Sequence, residues 1–331
     1  MRVIITGGAG FIGSHLAEHL LRKNHEVVCL DNFNDFYSPN LKRRNIEKAL
    51  ESSSYTLVAG DILDRDLLGK VFSQQFDAVI HLAAYAGVRP SIKRPDIYQR
   101  VNVEGTLNLL EQCRIHKVSK FVFASSSSVY GGRTSVPFKE DDDVMHPVSP
   151  YAATKVAGEA ICHAFHKTSG LSVHALRFFT VYGPRQRPEM AIHLFANHIL
   201  QGNPLPVFGD GSSARDYTYI DDIVDGIVAS LERCNGFEVI NVGGSNTTSL
   251  SALIDLLGET LNVTPIINRE PDQIGDVPIT FADVSRAKKI LGYVPKVGIE
   301  EGINRFCAWL TNQRNSDVDW DTPDTESAQS R

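Results

Sequence analysis

The sequence predicts an α/β protein: a doubly wound parallel sheet with helices on both faces, followed by a smaller, mixed α/β region. Three observations predict it. Short apolar runs alternate with segments of helical periodicity through residues 1–180. The first run opens through a glycine-rich turn straight into a helix. The second run ends on an acidic residue, Asp31.

Composition narrows the function classes. The chain has 331 residues, 42% hydrophobic and 22% charged, enough for a sizeable core of ordinary globular make-up. Its net charge of −6 argues against a general nucleic-acid binder, so no nucleic-acid partner is expected. Cys29, Cys113, Cys162, Cys234 and Cys307 are dispersed and lack C-x-x-C spacing. That pattern predicts neither a disulfide framework nor a metal site, and it reads as a cytoplasmic protein. The N-terminus has too short an apolar run for a signal peptide, and no run approaches the ~20 residues of a membrane span. No membrane partner is expected.

Taken in order, Val3-Ile-Ile5 is a short buried strand. Gly7-Gly-Ala-Gly-Phe-Ile-Gly13 follows, then a helix from Ser14 to Leu21. Bare glycines let the backbone approach a pyrophosphate, and the helix N-terminus offers free N–H groups and partial positive charge. Glu26–Leu30 is the second strand. Asp31 after it suits the ribose hydroxyls of adenosine and would repel a 2′-phosphate, which favours NAD over NADP. Asn32 stands beside it. Thr56–Ala59 is a third strand, leading to Asp61 and Ile62, placed for an adenine. Ala78–Leu82 is a fourth, ending at Ala83 and Ala84, with His81 a satisfied strand-end histidine. A long helix is expected over Ser91–Cys113, a strand over Phe121–Ala124 opening into Ser125–Ser128, a helix over Tyr151–Lys167 and a strand over Val173–Arg177. Together these make a Rossmann-type sheet over residues 1–180.

Further on, Pro204–Gly211 is turn-rich around a short strand, and Asp221-Asp222 is expected to cap a helix over Ile223–Glu232. Residues 215–245 are expected to rejoin the sheet through Val239–Val242. Leu250–Leu257 is an amphipathic helix, and Asp283 opens a capped helix to Leu291. Residues 181–214 and 246–312 form the expected second, smaller domain, and the polar stretch 315–331 is expected to be a disordered tail.

The chemistry centres on Tyr151 and Lys155. Four residues apart on a helix, they share a face. An ammonium near a phenol lowers the phenol's pKa, so the tyrosinate can take a proton from a sugar hydroxyl and return it. A lone Y-x-x-x-K is common; its force comes from the ordered motifs upstream.

Those motifs carry a resemblance. Gly7–Gly13, Asp31, Gly60-Asp-Ile62, His81-Leu-Ala-Ala84, Ser125-Ser-Ser-Ser-Val-Tyr-Gly131 and Tyr151-Ala-Ala-Thr-Lys155 occur in a familiar order. The chain resembles the extended short-chain dehydrogenase/reductases, specifically the NAD-dependent nucleotide-sugar epimerase family, and is most similar to its UDP-glucuronate 4-epimerases. The resemblance implies NAD held by Gly7, Gly10, Phe11, Ile12, Gly13, Asp31, Asn32, Asp61, Ile62, Leu82, Ala83, Ala84, Asn102 and Lys155. It implies catalysis by Tyr151, Lys155 and Ser126, the residue four before Tyr130. The 4,6-dehydratases carry Asp-Glu where this chain has Ser127-Ser128, and the decarboxylases of UDP-glucuronate usually carry Glu in place of Ser128, so both reactions are disfavoured.

Arg177-Phe-Phe-Thr-Val-Tyr-Gly-Pro-Arg-Gln-Arg-Pro-Glu-Met-Ala191 resembles the glucuronate-epimerase segment, with Glu189 for the usual Asp. Arg185 and Arg187 each suit a bidentate carboxylate contact. Arg187 is favoured, with Ser127 and Thr180 as hydroxyl partners and Ser128 and Tyr151 beside the sugar. The resemblance also implies Val207 and Phe208 framing the uracil, Arg89 and Arg215 on the diphosphate, and Gln273 and Asp276 on the substrate side. It implies a homodimer through the helices around 91–115 and 151–168. Competing readings are a UDP-glucose or UDP-N-acetylglucosamine 4-epimerase, a decarboxylase, and a non-catalytic NAD-binding sensor.

Overall fold

A computed structural model describes residues 1–271 and 276–314. The chain begins β1 (Arg2–Thr6), α1 (Phe11–Arg22), β2 (Glu26–Asp31), α2 (Pro39–Asn45), α3 (Glu47–Leu50), β3 (Tyr55–Ala59), α4 (Arg65–Phe72) and β4 (Ala78–His81). It continues through α5 (Val88–Lys93), α6 (Pro95–Tyr98), a π-helical stretch Gln99–Glu104, α7 (Gly105–His116), β5 (Lys120–Ser126), a tight turn Ser127–Tyr130, α8 (Pro150–Ser169) and β6 (Ser172–Phe178). After β7 (Thr180–Tyr182), α9 (Ala191–Gln201), β8 (Leu205–Phe208), β9 (Ala214–Arg215), β10 (Tyr217–Tyr219) and α10 (Ile220–Arg233) comes β11 (Phe237–Val242). The last elements are β12 (Thr248–Ser249), α11 (Leu250–Leu261), β13 (Ile267–Glu270), α12 (Ser285–Leu291) and α13 (Ile299–Arg314).

Seven strands form one parallel sheet in the order β11-β6-β5-β4-β1-β2-β3. Alternation along each strand fills both faces, as a sheet sandwiched between helix layers requires. Val3 and Ile5 join one core with Leu16 and Leu20 of α1 and Ile223 and Ile227 of α10. Ile4 points the other way, into a core with Leu68 and Phe72 of α4, Leu109 and Leu110 of α7 and Cys162 of α8. Burying each such aliphatic side chain contributes about 1.5–3 kcal/mol. Three two-stranded pairs lie outside this sheet: β7 with β10, β9 with β12, and β8 with β13. No helix among the described residues is long and apolar enough to cross a membrane.

The structure corrects three expectations of the sequence. The helix expected over Ser91–Cys113 is broken into α5, α6, the π-helical stretch and α7. Pro95 causes the break: it lacks an N–H and its ring blocks the preceding turn, so Arg94 leaves helical geometry (φ −131°, ψ 57°) and α6 restarts with proline in its first turn. Asp221 and Asp222 do not cap α10, which already begins at Ile220. Asp222 instead accepts the backbone N–H groups of Lys296 at 2.9 Å and Val297 at 3.1 Å, fastening the segment before α13. Asp283 is not the cap of α12 either; Val284 occupies that place, and Asp283 accepts from the Ser285 N–H at 2.8 Å. Residues 315–331 lie outside the described residues.

Candidate active site

In the sheet, β1 has β2 on one side and β4 on the other, so the chain reverses its winding there and leaves a crevice at the strand ends. The glycine turn fills one wall. A Cβ on Gly7 would sit 2.8 Å from the Ala83 nitrogen, and φ there is +70°. A Cβ on Gly13 would sit 2.4 Å from the Gly7 oxygen. The turn therefore closes only without side chains, which brings bare backbone to the crevice. No side chain caps α1 and no acid lies in its first turn, so its leading N–H groups remain available to an anion.

Asp31 ties this turn to β2: one carboxylate oxygen accepts from the Ala9 N–H at 3.1 Å, the other from the Phe33 N–H at 2.9 Å. Asn32 donates to Asp61 at 2.9 Å, so the two polar groups expected at the adenosine end are already paired with each other. Gly7, Gly10, Phe11, Ile12, Gly13, Asp31, Asn32, Asp61, Ile62, Leu82, Ala83, Ala84 and Lys155 all line the same cleft.

Asn102 does not, and its cofactor role is corrected. It is 2% exposed. Its carbonyl accepts from the Tyr85 N–H at 2.8 Å, and its amide donates to the Tyr85 carbonyl at 2.9 Å and to Thr154 Oγ1 at 3.0 Å. Every polar atom is used in stapling the loop after Ala84 to α8.

The catalytic side is set by α8. Ser149 caps it, accepting from the Ala152 N–H at 3.1 Å, and Pro150 opens its first turn. Tyr151 then faces the end of β5, where Ser126 Oγ accepts from the Ser128 N–H and donates to Ser128 Oγ, both at 3.1 Å. Tyr151, Lys155, Ser126, Ser127 and Ser128 share the cleft with the glycine turn. The electrostatics differ from the expectation. Burial pushes the Tyr151 phenol up, tempered by a hydrogen bond with Ser126 and by the Arg187 charge. Lys155 Nζ lies 5.8 Å from the Tyr151 ring centre and donates to the Ala124 carbonyl at 2.7 Å. Burial lowers Lys155 to about 8, against the opposing pull of Cys162 and Glu159. Desolvation thus outweighs the help that Ser126 and Arg187 give the phenol, and the expected help from the Lys155 ammonium is not among the causes of its shift.

Thr180 and Arg187 line the cleft beside the three serines. Arg187 lies 5.4 Å from the Phe36 ring centre and pairs with Glu189 at 3.2 Å. Arg185 turns away, in left-handed backbone at φ +66°, and its guanidinium meets Glu18 at 2.5 Å. Its substrate role is corrected on that geometry. A second hollow joins the first through Val88, Ser127, Ser128 and Thr180, and is walled by Arg215 and Asp276. At its rim Arg89 pairs with Asp276 at 2.7 Å and lies 5.0 Å from the Phe208 ring centre. Val207 is corrected as well: alternation along β8 turns it into the core, 2% exposed. Gln273 lies outside the described residues.

Sequence reasoning missed Phe36, Tyr37, Lys42 and Met190, which also line the cleft. Lys42 is 5% exposed and donates to the Asn34 carbonyl and side chain at 2.8 and 2.9 Å, with Tyr37 beneath it. The Tyr37 hydroxyl is buried without a partner. No motif marks residues 33–45; a lysine three places before the end of a short helix reads as solvated.

A bare glycine turn at the winding reversal of a parallel sheet, an acid closing the second strand, and Ser126, Tyr151 and Lys155 across the cleft define a dinucleotide-dependent enzyme that works on a hydroxyl-bearing carbon. The sequence model of the NAD dependent epimerase/dehydratase family matches residues 3–243, and the chain belongs to that family. A UDP-glucuronate 4-epimerase of Thermodesulfobacterium geofontis is 42% identical over 92% of this chain and 95% of its own length. The crystal structure of a UDP-glucuronic acid 4-epimerase from Bacillus cereus, with UDP-glucuronic acid and NAD, is similar at a TM-score of 0.90 and 40% identity, over 94% of this chain and 99% of that one. A UDP-glucose 4-epimerase of Thermotoga maritima, solved with UDP-glucose, stands at a TM-score of 0.87 and 32% identity, over 95% and 100%.

Proposed function

We propose that the chain interconverts UDP-glucuronate and UDP-galacturonate as an NAD-dependent 4-epimerase. One observation carries the choice of sugar. A guanidinium, Arg187, lines the cleft together with Tyr151, Ser127, Ser128 and Thr180, while the rival Arg185 is committed to Glu18. A cation among three hydroxyls suits the C6 carboxylate of a uronate; a neutral hexose would leave it without a ligand partner.

The residues fit the cofactor. The turn at Gly7–Gly13, bare of side chains at Gly7, Gly10 and Gly13, and the uncapped α1 suit a pyrophosphate, and Asp31 suits the adenosine ribose. NAD, when bound, supplies what the side chains lack, an acceptor that takes hydrogen from C4 of the sugar and returns it to the opposite face. The protein's own work is with the proton. Tyr151 removes it from O4 and later restores it, Ser126 shares it by hydrogen bond, and Lys155 supplies the compensating positive charge. Ser127 and Ser128 stand where a dehydratase would need an acid and a base. Arg187 has a second task. A uronate oxidised at C4 is a β-keto acid, which loses carbon dioxide when its C5–C6 bond overlaps the carbonyl π system. Fixing the carboxylate so that this bond stays near the ring plane suppresses the loss.

Arg215, Arg89, Phe208 and Asp276 would receive the UDP portion in the adjoining hollow. On this reading residues 1–180 with 215–245 hold the cofactor, and 181–214 with 246–312 hold the nucleotide sugar. Two further expectations belong here. A homodimer through the helices around 91–115 and 151–168 fits the exposed Ile92 on α5 and Ile115 on α7, and sedimentation tests it. A cytoplasmic setting fits five buried cysteines with no disulfide among them.

The experiment is a substrate panel. Purified protein is incubated with UDP-glucuronate, UDP-glucose and UDP-N-acetylglucosamine, and products are resolved by anion exchange and NMR. Galacturonate product is expected. Turnover of UDP-glucose with none of UDP-glucuronate overturns the proposal.

A further inference from the structure

One buried pair has no part in the scheme above. Glu159 lies one helical turn beyond Lys155 on α8, as Lys155 lies one turn beyond Tyr151. Its carboxylate faces the sheet. Oε1 accepts from Ser125 Oγ at 2.5 Å and from Arg177 Nε at 2.9 Å, and Oε2 accepts from Arg177 Nη2 at 2.8 Å. The two side chains are 9% and 4% exposed. Arg177 reaches on with Nη1, donating to Tyr130 Oη at 3.0 Å and to the Glu140 carbonyl at 3.2 Å. Tyr130 in turn donates to Asn241 Oδ1 on β11 at 2.6 Å.

Ser125 and Tyr130 are the residues on either side of Ser126–Val129. That turn presents the three cleft serines. Ser126 at its start is in register with Phe178 of β6 and Val129 at its end is buried, but between them its own hydrogen bonds are a Gly131 N–H to Ser128 carbonyl bond at 3.1 Å and the Ser126–Ser128 contacts. A buried ion pair adds little net stability over apolar residues of the same size. What it does add is fixed geometry, because a bidentate guanidinium and carboxylate share one plane and one separation.

We propose that Glu159 and Arg177 are positioning residues, a buried pair that grips the Ser126–Val129 turn at both ends and so sets where the Ser126 hydroxyl meets the reacting oxygen. The inference rests on the reading of Ser126 and Tyr151 as the proton-handling groups. Neither Glu159 nor Arg177 lines the cofactor cleft, so the grip on the serine turn is separable from NAD uptake. A small misplacement of a catalytic hydroxyl lowers the chemical step without a matching change in ground-state binding.

The test uses full-length protein with its bound NAD and whichever UDP-sugar the wild type turns over. Tyr130→Phe and Ser125→Ala each remove one grip and leave the ion pair intact. Each is expected to lower kcat roughly tenfold while KM for the UDP-sugar stays within about threefold. NAD content should be unchanged in Tyr130→Phe, whose side chain does not line the cofactor cleft, and the double variant should be slower than either. Glu159→Gln breaks the pair itself and is expected to cost roughly a hundredfold in kcat. If it fails to fold, the two milder variants decide. Wild-type kcat in both overturns the inference, and so does lowered thermal stability with kcat unchanged, which would leave the pair a purely structural part. Absence of wild-type turnover on every UDP-sugar is a different result: it removes the catalytic reading on which the inference stands.

Discussion

At the residue scale the proposed function rests on Tyr151, Lys155 and Arg187. Tyr151→Phe keeps the ring and removes the acid-base oxygen. It is expected to lower kcat by about 10²–10⁴, with NAD content unchanged by extraction and assay. The pH dependence follows from the pair acting together. Burial raises the phenol and lowers Lys155 to about 8. The pair loses its first proton near 8, and the tautomer of that form with tyrosinate beside ammonium is the active one, so kcat/KM should rise with pH through about 8. Lys155→Met removes the cation that stabilises the tyrosinate and should move that rise to higher pH; an unmoved limb removes Lys155 from the proton balance. Arg187→Gln should raise KM for UDP-glucuronate by about ten- to a hundredfold, the worth of a charge-assisted contact, and leave UDP-glucose turnover little changed. Steady-state kinetics on both sugars reads that selectivity. These three residues were legible in the sequence because each sits in an ordered motif. The choice between Arg187 and Arg185 was not settled there, since either spacing allows a bidentate grip. The sequence favoured Arg187, and the left-handed backbone at Arg185 with its contact to Glu18 supports that preference.

At the scale of elements, two junctions carry the site. The first is the glycine turn into α1. A Gly13→Ala side chain would meet the Gly7 oxygen at 2.4 Å and the Gly8 Cα at 2.6 Å, both backbone atoms with nowhere to go. Loss of NAD binding is the expected result, measured by calorimetric titration. The second is Asp216, wholly buried between β9 and β10. It accepts from the Gly244, Ser245 and Ala282 N–H groups at 2.7, 3.1 and 3.0 Å, and its own carbonyl accepts from Thr180 at 3.0 Å. Burial still pushes its carboxyl up from 3.8 to about 6. The folded protein thus holds that proton more tightly than the unfolded chain does. The cost of the buried charge is present above about 6 and fades as the pH falls towards 4. Asp216→Asn would turn an amide donor towards backbone donors, and should lower stability by about 2–4 kcal/mol in denaturant titrations. The strands of the large sheet were legible from apolar runs alone. The break at Arg94 was hidden because apolar periodicity continues across Pro95. The true start of α10 was hidden because Asp221-Asp222 looks like a cap yet serves the segment before α13.

At the scale of the whole molecule, the cleft spans parts of the chain far apart in sequence, from Gly7 to Met190, and the adjoining hollow extends it to Thr280. A cofactor regenerated in each cycle gains nothing by leaving, so NAD should stay with the protein through purification. Heat extraction of the purified chain should release it in near-equal molar amount. Stripping it should lower thermal stability, by about 2.7 kcal/mol relative to protein kept at a hundred times the dissociation constant. Unchanged melting on removal and return of NAD would contradict the fit of the glycine turn. Composition and net charge pointed only to an ordinary globular chain; the enzyme was read from the ordered motifs. The adjoining hollow was beyond them, because its walls are mostly loop residues gathered from distant parts of the chain, from Val88 to Thr280, with no repeating pattern to read.

The seventh strand of the large sheet, β11, takes its place beside β6 only after the chain has left to build β7–β10 and α10. The two halves of the catalytic cleft are therefore laced together rather than joined end to end. A ribosome cannot complete the cofactor floor before much of the sugar side has already emerged. Recombination at any one crossover would likewise sever a strand from its sheet. New sugar preferences in this lineage should consequently arise through individual exchanges along the cleft wall, not through the borrowing of a ready-made module.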